Sequence, residues 1–212
     1  MKKSVISTRN PKRGMMIKKS LLTIIMIVAF TFSNLSCNAN QNATPEQIKA
    51  YIIQCAVEMG VEPEIALGIA KQESGFSQNK RSSMGAVGVF QIMPSTARKI
   101  GFNPYHYKDN IRGGIAYYKQ LKRMFKTDEL ALAAYNAGPG NVKRYGGVPP
   151  FSETRRFIQI VMGHYNTYKT NPDASVEAML AASRENRDTN KQTLADKEHR
   201  EMLDLFMLNQ AI

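Results

Sequence analysis

The strongest constraint on this chain is the punctuation between residues 44 and 172, where signals that start and stop helices recur at short intervals. Thr44-Pro-Glu-Gln47 is a capping box with proline at the first helical position. Apolar residues then repeat at helical spacing at Ile48, Ile52, Cys55, Ala56 and Met59, and Gly60 closes the run. Pro63 opens a second helix whose buried side is marked by Ile65, Leu67, Ile69 and Ala70. It extends to about Glu73, where Ser74-Gly75 stops it. Further helices are expected at 94–100, ended by Gly101, at 109–126 with Asp109 as the cap, and at 127–136 capped by Thr127 and stopped by Gly138-Pro139. Ser152 begins a last long helix through Tyr168, broken at Asn171-Pro172. Only 76–93 departs from this rhythm. There Gly85 and Gly88 alternate with Val87, Val89, Phe90 and Ile92, which predicts a tight turn with brief extended pieces. The expectation is a mainly α domain over 43–170 with one small β element.

Charge divides the chain into three. Residues 1–37 hold seven basic residues and no acidic one, 38–170 hold 17 basic and 9 acidic, and 171–212 hold 5 basic and 8 acidic. The basic head precedes the apolar run Leu21–Phe32, whose 12 residues fall short of the ~20 of a comfortable bilayer span. Head and run together read as an export signal over 1–37. Its processing stays open between cleavage after Ala39, lipidation at Cys37, and retention as an anchor. Leu35-Ser36-Cys37 resembles the end of a lipoprotein signal, although Asn34 stands where that signal usually has leucine. Each reading sends the chain to the periplasm or cell envelope. A nucleic-acid-binding arm does not fit a segment this apolar. The tail, 171–212, is expected to form one or two weakly amphipathic helices, compatible with contact to envelope machinery. Two cysteines, Cys37 and Cys55, exclude a disulfide-rich scaffold and a multi-cysteine metal centre. Cys55 is expected as a buried thiol, and no metal or cofactor is expected.

Three segments carry candidate chemistry. Glu73 lies at a predicted helix end, where the partial negative charge of the terminus disfavours an ionised carboxylate. Burial against Phe76 or Phe90 would act in the same direction. A carboxylic acid kept protonated near neutral pH can donate to a leaving oxygen. Ser82-Ser83-Met84-Gly85-Ala86-Val87-Gly88-Val89-Phe90-Gln91 joins glycines that allow close approach of a ligand to a glutamine that both donates and accepts. Ala133-Ala134-Tyr135-Asn136-Ala137-Gly138 combines small residues with a hydroxyl and a ring face. Each segment alone would equally suit a structural role: a surface glutamate, a glycine-rich hairpin, a helix C-cap.

Together they resemble the catalytic domain of the SLT-type lytic transglycosylases, relatives of goose-type lysozyme. The resemblance runs from about 55 to 168 and rests on four blocks in one order: Glu73-Ser74; Gly85-Ala86-x-Gly88 with Gln91-Ile92-Met93-Pro94; Ala134-Tyr135-Asn136-Ala137-Gly138; and Glu153-Thr154-Arg155. It implies a lysozyme-like helical fold with a substrate groove. It also implies cleavage of the β-1,4 bond between N-acetylmuramic acid and N-acetylglucosamine in peptidoglycan. Glu73 matches the family's catalytic carboxylate. Ser74, Ser82, Gln91, Tyr135 and Asn136 match its substrate-side residues, with Ser82 near the muramoyl N-acetyl group. The family needs no second carboxylate, because the substrate's own N-acetyl group assists. The ionised acid then acts as base on the muramoyl C6 hydroxyl, and a 1,6-anhydromuramoyl end results.

Two departures stand out. Val89-Phe90 replaces a usual Leu-Met pair and keeps an apolar lining. Phe157 stands where the family commonly has a tyrosine whose hydroxyl approaches the acid; the ring is kept and the hydroxyl lost. The alternatives are a muramidase-type hydrolase on the same fold, or a weakly active wall-binding or scaffold component of a secretion or conjugation machine.

Overall fold

A computed structural model describes residues 43–210, with side chains to Met202. The expected export signal, Ala39 and Cys37 lie outside the described residues. Eight helices follow in order among the described residues: α1 (Pro45–Met59), α2 (Pro63–Ser74), α3 (Pro94–Lys99), α4 (Tyr107–Phe125), α5 (Asp128–Ala137), α6 (Pro139–Tyr145), α7 (Ser152–Thr170) and α8 (Ala174–Gln210). The fold is thus mainly α. Its β content among the described residues is two isolated antiparallel bridges, Arg81 with Val87 and Val87 with Ile92.

The caps form largely as the sequence dictates. Thr44 accepts from the Gln47 amide while the Gln47 side chain accepts from the Thr44 amide, so two orphan donors at the start of α1 are satisfied reciprocally. Gly60 and Gly75 both take the left-handed conformation and close α1 and α2. Thr127 caps α5 through the Leu130 amide. Two expectations need correction. Asp109 is not a cap: α4 starts two residues earlier, with His106 at the cap position, and Asp109 sits in the first turn, where its charge complements the helix dipole. Gly138-Pro139 stops α5 but also starts α6, because proline is well suited to a first helical position.

α2 is the centre of the domain. Every residue from Pro63 to Ala70 is buried. It packs most heavily on α7 and also on α1, while α1 and α5 pack in turn on α4. The core gathers Ile48, Ile52, Leu67, Ile69, Ile111, Ile115, Leu121, Leu132 and Val161, each nearly inaccessible to solvent. Cys55 is a free, buried thiol in this core, and burial raises its pKa. Such a helix, enclosed on all sides, gains apolar burial around its whole circumference rather than along one stripe.

α8 differs. Asp173 caps it by accepting from the Val176 amide at 3.0 Å. Val176 and Leu180 are buried where its first turns lie on α1, and Arg184 reaches Glu64 at 3.2 Å. From Arg184 to Met202 every residue is exposed. The tail is therefore one long helix with a docked root. Among the described residues no helix is long and apolar enough to cross a membrane.

Candidate active site

Glu73 is the penultimate residue of α2, half-buried at the mouth of a groove. It lines a cavity of about 400 Å³ with Gln72, Asn136, Glu153, Arg156, Phe157 and Ile160. A second cavity, of about 290 Å³, includes Gln91, Thr96, Tyr117, Tyr135 and Asn136 in its lining. Asn136 belongs to both, so the two cavities are neighbouring parts of one groove.

Burial raises the Glu73 pKa to about 7; the nearby Glu153 carboxylate pushes the same way, and the Lys80 ammonium opposes them. The carboxyl is therefore substantially protonated at neutral pH. Glu153 stands in the first turn of α7 and is exposed. Besides complementing the dipole of that helix, its charge helps to hold the proton on Glu73.

Ser74 requires a correction. The resemblance puts it on the substrate side, but its hydroxyl is buried. It donates to the Val89 carbonyl at 2.8 Å, lies 3.3 Å from the Ala70 carbonyl, and accepts from the Ser77 amide at 3.0 Å. It is a positioning residue, tying the end of the acid-bearing helix to the turn that follows.

That turn, residues 76–93, is held from beneath by two carboxamides that sequence reasoning misses. Asn110, in the first turns of α4, accepts from the Phe90 amide at 2.8 Å and donates to the Val87 carbonyl at 2.7 Å and the Pro104 carbonyl at 3.0 Å. Gln78 accepts from the Val89 amide at 3.3 Å and donates to Pro104 at 3.0 Å. Nothing in their sequence spacing singles them out, since their partners lie up to 26 residues away. Two glycines make room for this. Gly88 has φ +77°, and a β-carbon there would lie 2.5 Å from the Gln78 oxygen and 2.6 Å from Asn110 Nδ2. A β-carbon on Gly114 would lie 2.2 Å from the buried Phe90 ring.

Ser82 is half-buried; its oxygen accepts from the Ala86 amide at 2.9 Å, which leaves its proton free to donate. Gln91 has φ +44°, unusual for a residue with a side chain. Its Nε2 donates to the Gly88 carbonyl at 2.9 Å and the Lys80 carbonyl at 3.2 Å, so Oε1 is the group left for a ligand.

The α5 end supplies the other wall. Tyr135 donates to the Phe90 carbonyl at 2.8 Å, fastening α5 to the turn. Its pKa is raised well above the ordinary phenol value, first by burial and then by the Glu73 and Tyr117 charges. The Tyr135 hydroxyl is thus committed inward, and its ring is what remains for the groove. Phe157 lies parallel to it, with ring centroids 6.3 Å apart, and is buried. Position 157 therefore contributes a ring to the acid's cavity and no hydroxyl. Asn136 accepts from Thr154 Oγ1 at 2.7 Å, which fixes the amide and leaves Nδ2 available. Tyr117, one turn of α4 beyond Gly113, tilts against Tyr135 at 5.4 Å and lines the second cavity. Sequence reasoning misses it, although Tyr117-Tyr118 in the apolar pattern of α4 is a visible signal.

The structure thus brings Glu73, Gln91, Tyr135, Asn136 and Phe157 to the linings of the two cavities, while Ser82 lies in the adjoining turn and Ser74 beneath it. Among the described residues no group of three His, Cys, Asp or Glu is placed to hold a metal ion. The arrangement can donate a proton from a half-buried carboxyl to a ligand held by neutral polar groups and rings.

The transglycosylase SLT domain model matches residues 50–158. Among curated proteins, the soluble lytic murein transglycosylase of Salmonella typhimurium is 31% identical over 148 residues, covering 58% of this chain and 23% of that protein. The Escherichia coli enzyme of the same description is 33% identical over 129 residues, covering 49% and 20%. Among solved structures, an inactive mutant of the lytic transglycosylase Slt from Pseudomonas aeruginosa superposes with a TM-score of 0.51 at 31% identity, covering 60% of this chain and 25% of that one. A complex of the 70-kDa soluble lytic transglycosylase with bulgecin A gives 0.52 at 28% identity, covering 57% and 24%. The chain spans about a quarter or less of the length of these relatives. The matched segment runs from within α1 to the second turn of α7 and contains the acid, the turn and both groove walls, so the chain belongs to the transglycosylase SLT domain family.

Proposed function

We propose that this domain cleaves the β-1,4 bond between N-acetylmuramic acid and N-acetylglucosamine in peptidoglycan, leaving a 1,6-anhydromuramoyl end. The observation that carries this reading is the half-buried Glu73 carboxyl, its pKa raised to about 7 in a cavity lined by Asn136 and Phe157, with Tyr135 lining the adjoining one. Protonated Glu73 donates to the glycosidic oxygen as that bond breaks. The substrate's N-acetyl oxygen meets the positive charge developing at C1, and Ser82, with its proton free, orients that group. Glu73, now a carboxylate, takes the proton of the C6 hydroxyl as that oxygen attacks C1. Each turnover returns Glu73 to its acid form without net consumption of water. The attack is intramolecular and gains from high effective molarity. Glu153 supports the cycle by disfavouring a second negative charge close to its own.

Mass analysis of peptidoglycan digested by the full chain and by its Glu73→Gln variant tests this. Anhydromuramoyl ends are expected with the native chain, and the rate should drop by about 10²–10⁴ in the variant, the usual contribution of a positioned general acid. Reducing muramic acid ends would replace the proposal with hydrolysis.

The basic head and apolar run support action in the cell envelope, with membrane attachment through Cys37 as the finer proposal. Cys37→Ser should release the chain from the membrane fraction; unchanged sedimentation with membranes would rule out a lipid on Cys37.

A further inference from the structure

The two cavities that meet at Asn136 differ in charge. The one lined by Gln91, Tyr117 and Tyr135 contains no Lys, Arg, Asp or Glu in its lining, which suits a neutral sugar. The one beside Glu73 carries a cation, Arg156, and two carboxyl groups, Glu73 and Glu153. Arg156 lies three residues after Glu153 on α7, so the two share a helix face. Arg112 and Arg184 each hold a carboxylate, at 3.1 and 3.2 Å. Arg156 is exposed and has no carboxylate within 4 Å among the described residues. The cation acting on Glu73 is Lys80, not Arg156. Arg156 thus adds a free, planar guanidinium to the groove at a position where it does not strip the acid of its proton.

We propose that Arg156 is a specificity residue that grips a carboxylate of the peptide stem borne by the muramoyl unit, so that the enzyme prefers stem-bearing strands over bare glycan. The inference rests on reading this groove as one for peptidoglycan strands. In that polymer the sugars are neutral where they face the acid, and the stem peptides supply carboxylates. A guanidinium pairs with a carboxylate in a bidentate fork, which fixes orientation as well as adding affinity. Gln72, which lines the same cavity as Arg156, can donate or accept toward the peptide backbone.

The test compares kcat/KM on stem-bearing strands with kcat/KM on strands whose stems an amidase has removed. The native chain should favour stem-bearing strands at least tenfold. Arg156→Ala should reduce that ratio about tenfold, which corresponds to about 1.4 kcal/mol. Arg156→Lys, which keeps the charge but not the fork, should retain part of it. Arg98→Ala removes an equal charge from an exposed site outside both cavities and should leave the ratio unchanged. Equal losses on both substrates in Arg156→Ala, or the same fall in ratio in Arg98→Ala, would overturn the proposal. The affinities of Glu73→Gln and of Glu73→Gln with Arg156→Ala for stem-bearing and stripped tetrasaccharides give a second readout free of turnover. If the native chain cuts neither substrate, the catalytic reading fails, yet the affinity ratio still decides the role of Arg156.

Discussion

α2 and α8 are both regular helices, yet they stand at opposite ends of what a helix can do. α2 has 12 residues and is enclosed along its first two turns; α8 has 37 and is exposed from Arg184 onward as far as its side chains are described. The longer helix is the less buried of the two. The short helix is buried along its first two turns and carries Glu73 as its penultimate residue. The long one is fixed by Val176 and Leu180 at its root and then continues on local hydrogen bonds and i, i+4 contacts such as Gln192 with Asp196 and Lys197 with Glu201. The acid proposed for catalysis, which must be held at one place, resides on the enclosed element.

One substitution made along both helices puts this contrast at risk. Leu67→Ala, at a site with no solvent exposure, should destabilise by about 3–5 kcal/mol, the range for emptying a core leucine site that cannot collapse. Leu180→Ala at the root of α8 should be milder, about 2 kcal/mol, because the site borders an open cavity and can partly collapse or hydrate. Leu194→Ala, at a residue 58% exposed, should change stability by less than about 0.5 kcal/mol. Denaturant unfolding of the three variants measures the gradient, and a Leu194 effect as large as that of Leu180 would mean that the outer part of α8 is packed in solution.

A subtler test exploits the mismatch between the acid and its enclosed support. The folded pKa of Glu73 is raised from 4.5 to about 7, so the native state binds the proton more tightly than the unfolded chain. This contribution is fully present below about pH 4.5 and is lost as pH rises through 7. Its size is up to about 3 kcal/mol, since each tenfold gain in proton affinity is worth about 1.36 kcal/mol. Glu73→Gln should therefore gain stability relative to the native chain at pH 8 and show little difference at pH 4.5. Activity, which needs the folded acid in its protonated form, should fall only as pH rises past about 7, where the loss of stability is already nearly complete. A stability difference independent of pH would show that Glu73 does not titrate near 7.

Much of this is legible in the sequence, for identifiable reasons. Thr44, Gly60, Pro63, Gly75 and Thr127 act within a turn of their own positions, so the helix boundaries they set can be read locally. Glu73 is legible because helix end and turn lie within a few residues of it, whereas the ring that shares its cavity, Phe157, is distant in sequence. Asn110 and Gln78 are not, because each works on chain segments that only the fold brings near. Ser74 misleads for the same reason: its neighbour Glu73 faces the groove, but the hydroxyl's partner, Val89, is 15 residues away and inward. α6 is hidden because a Gly-Pro pair marks an ending and a beginning with the same letters.

The Ser74 hydroxyl has a mechanical consequence. One oxygen joins the last turn of α2 to the turn at Val89, and Tyr135 joins the next residue, Phe90, to α5. Acid, turn and opposite wall are thereby linked in series through adjacent carbonyls of one turn. The spacing of the two walls therefore depends on two hydroxyl groups, and losing either one would uncouple one wall from the turn.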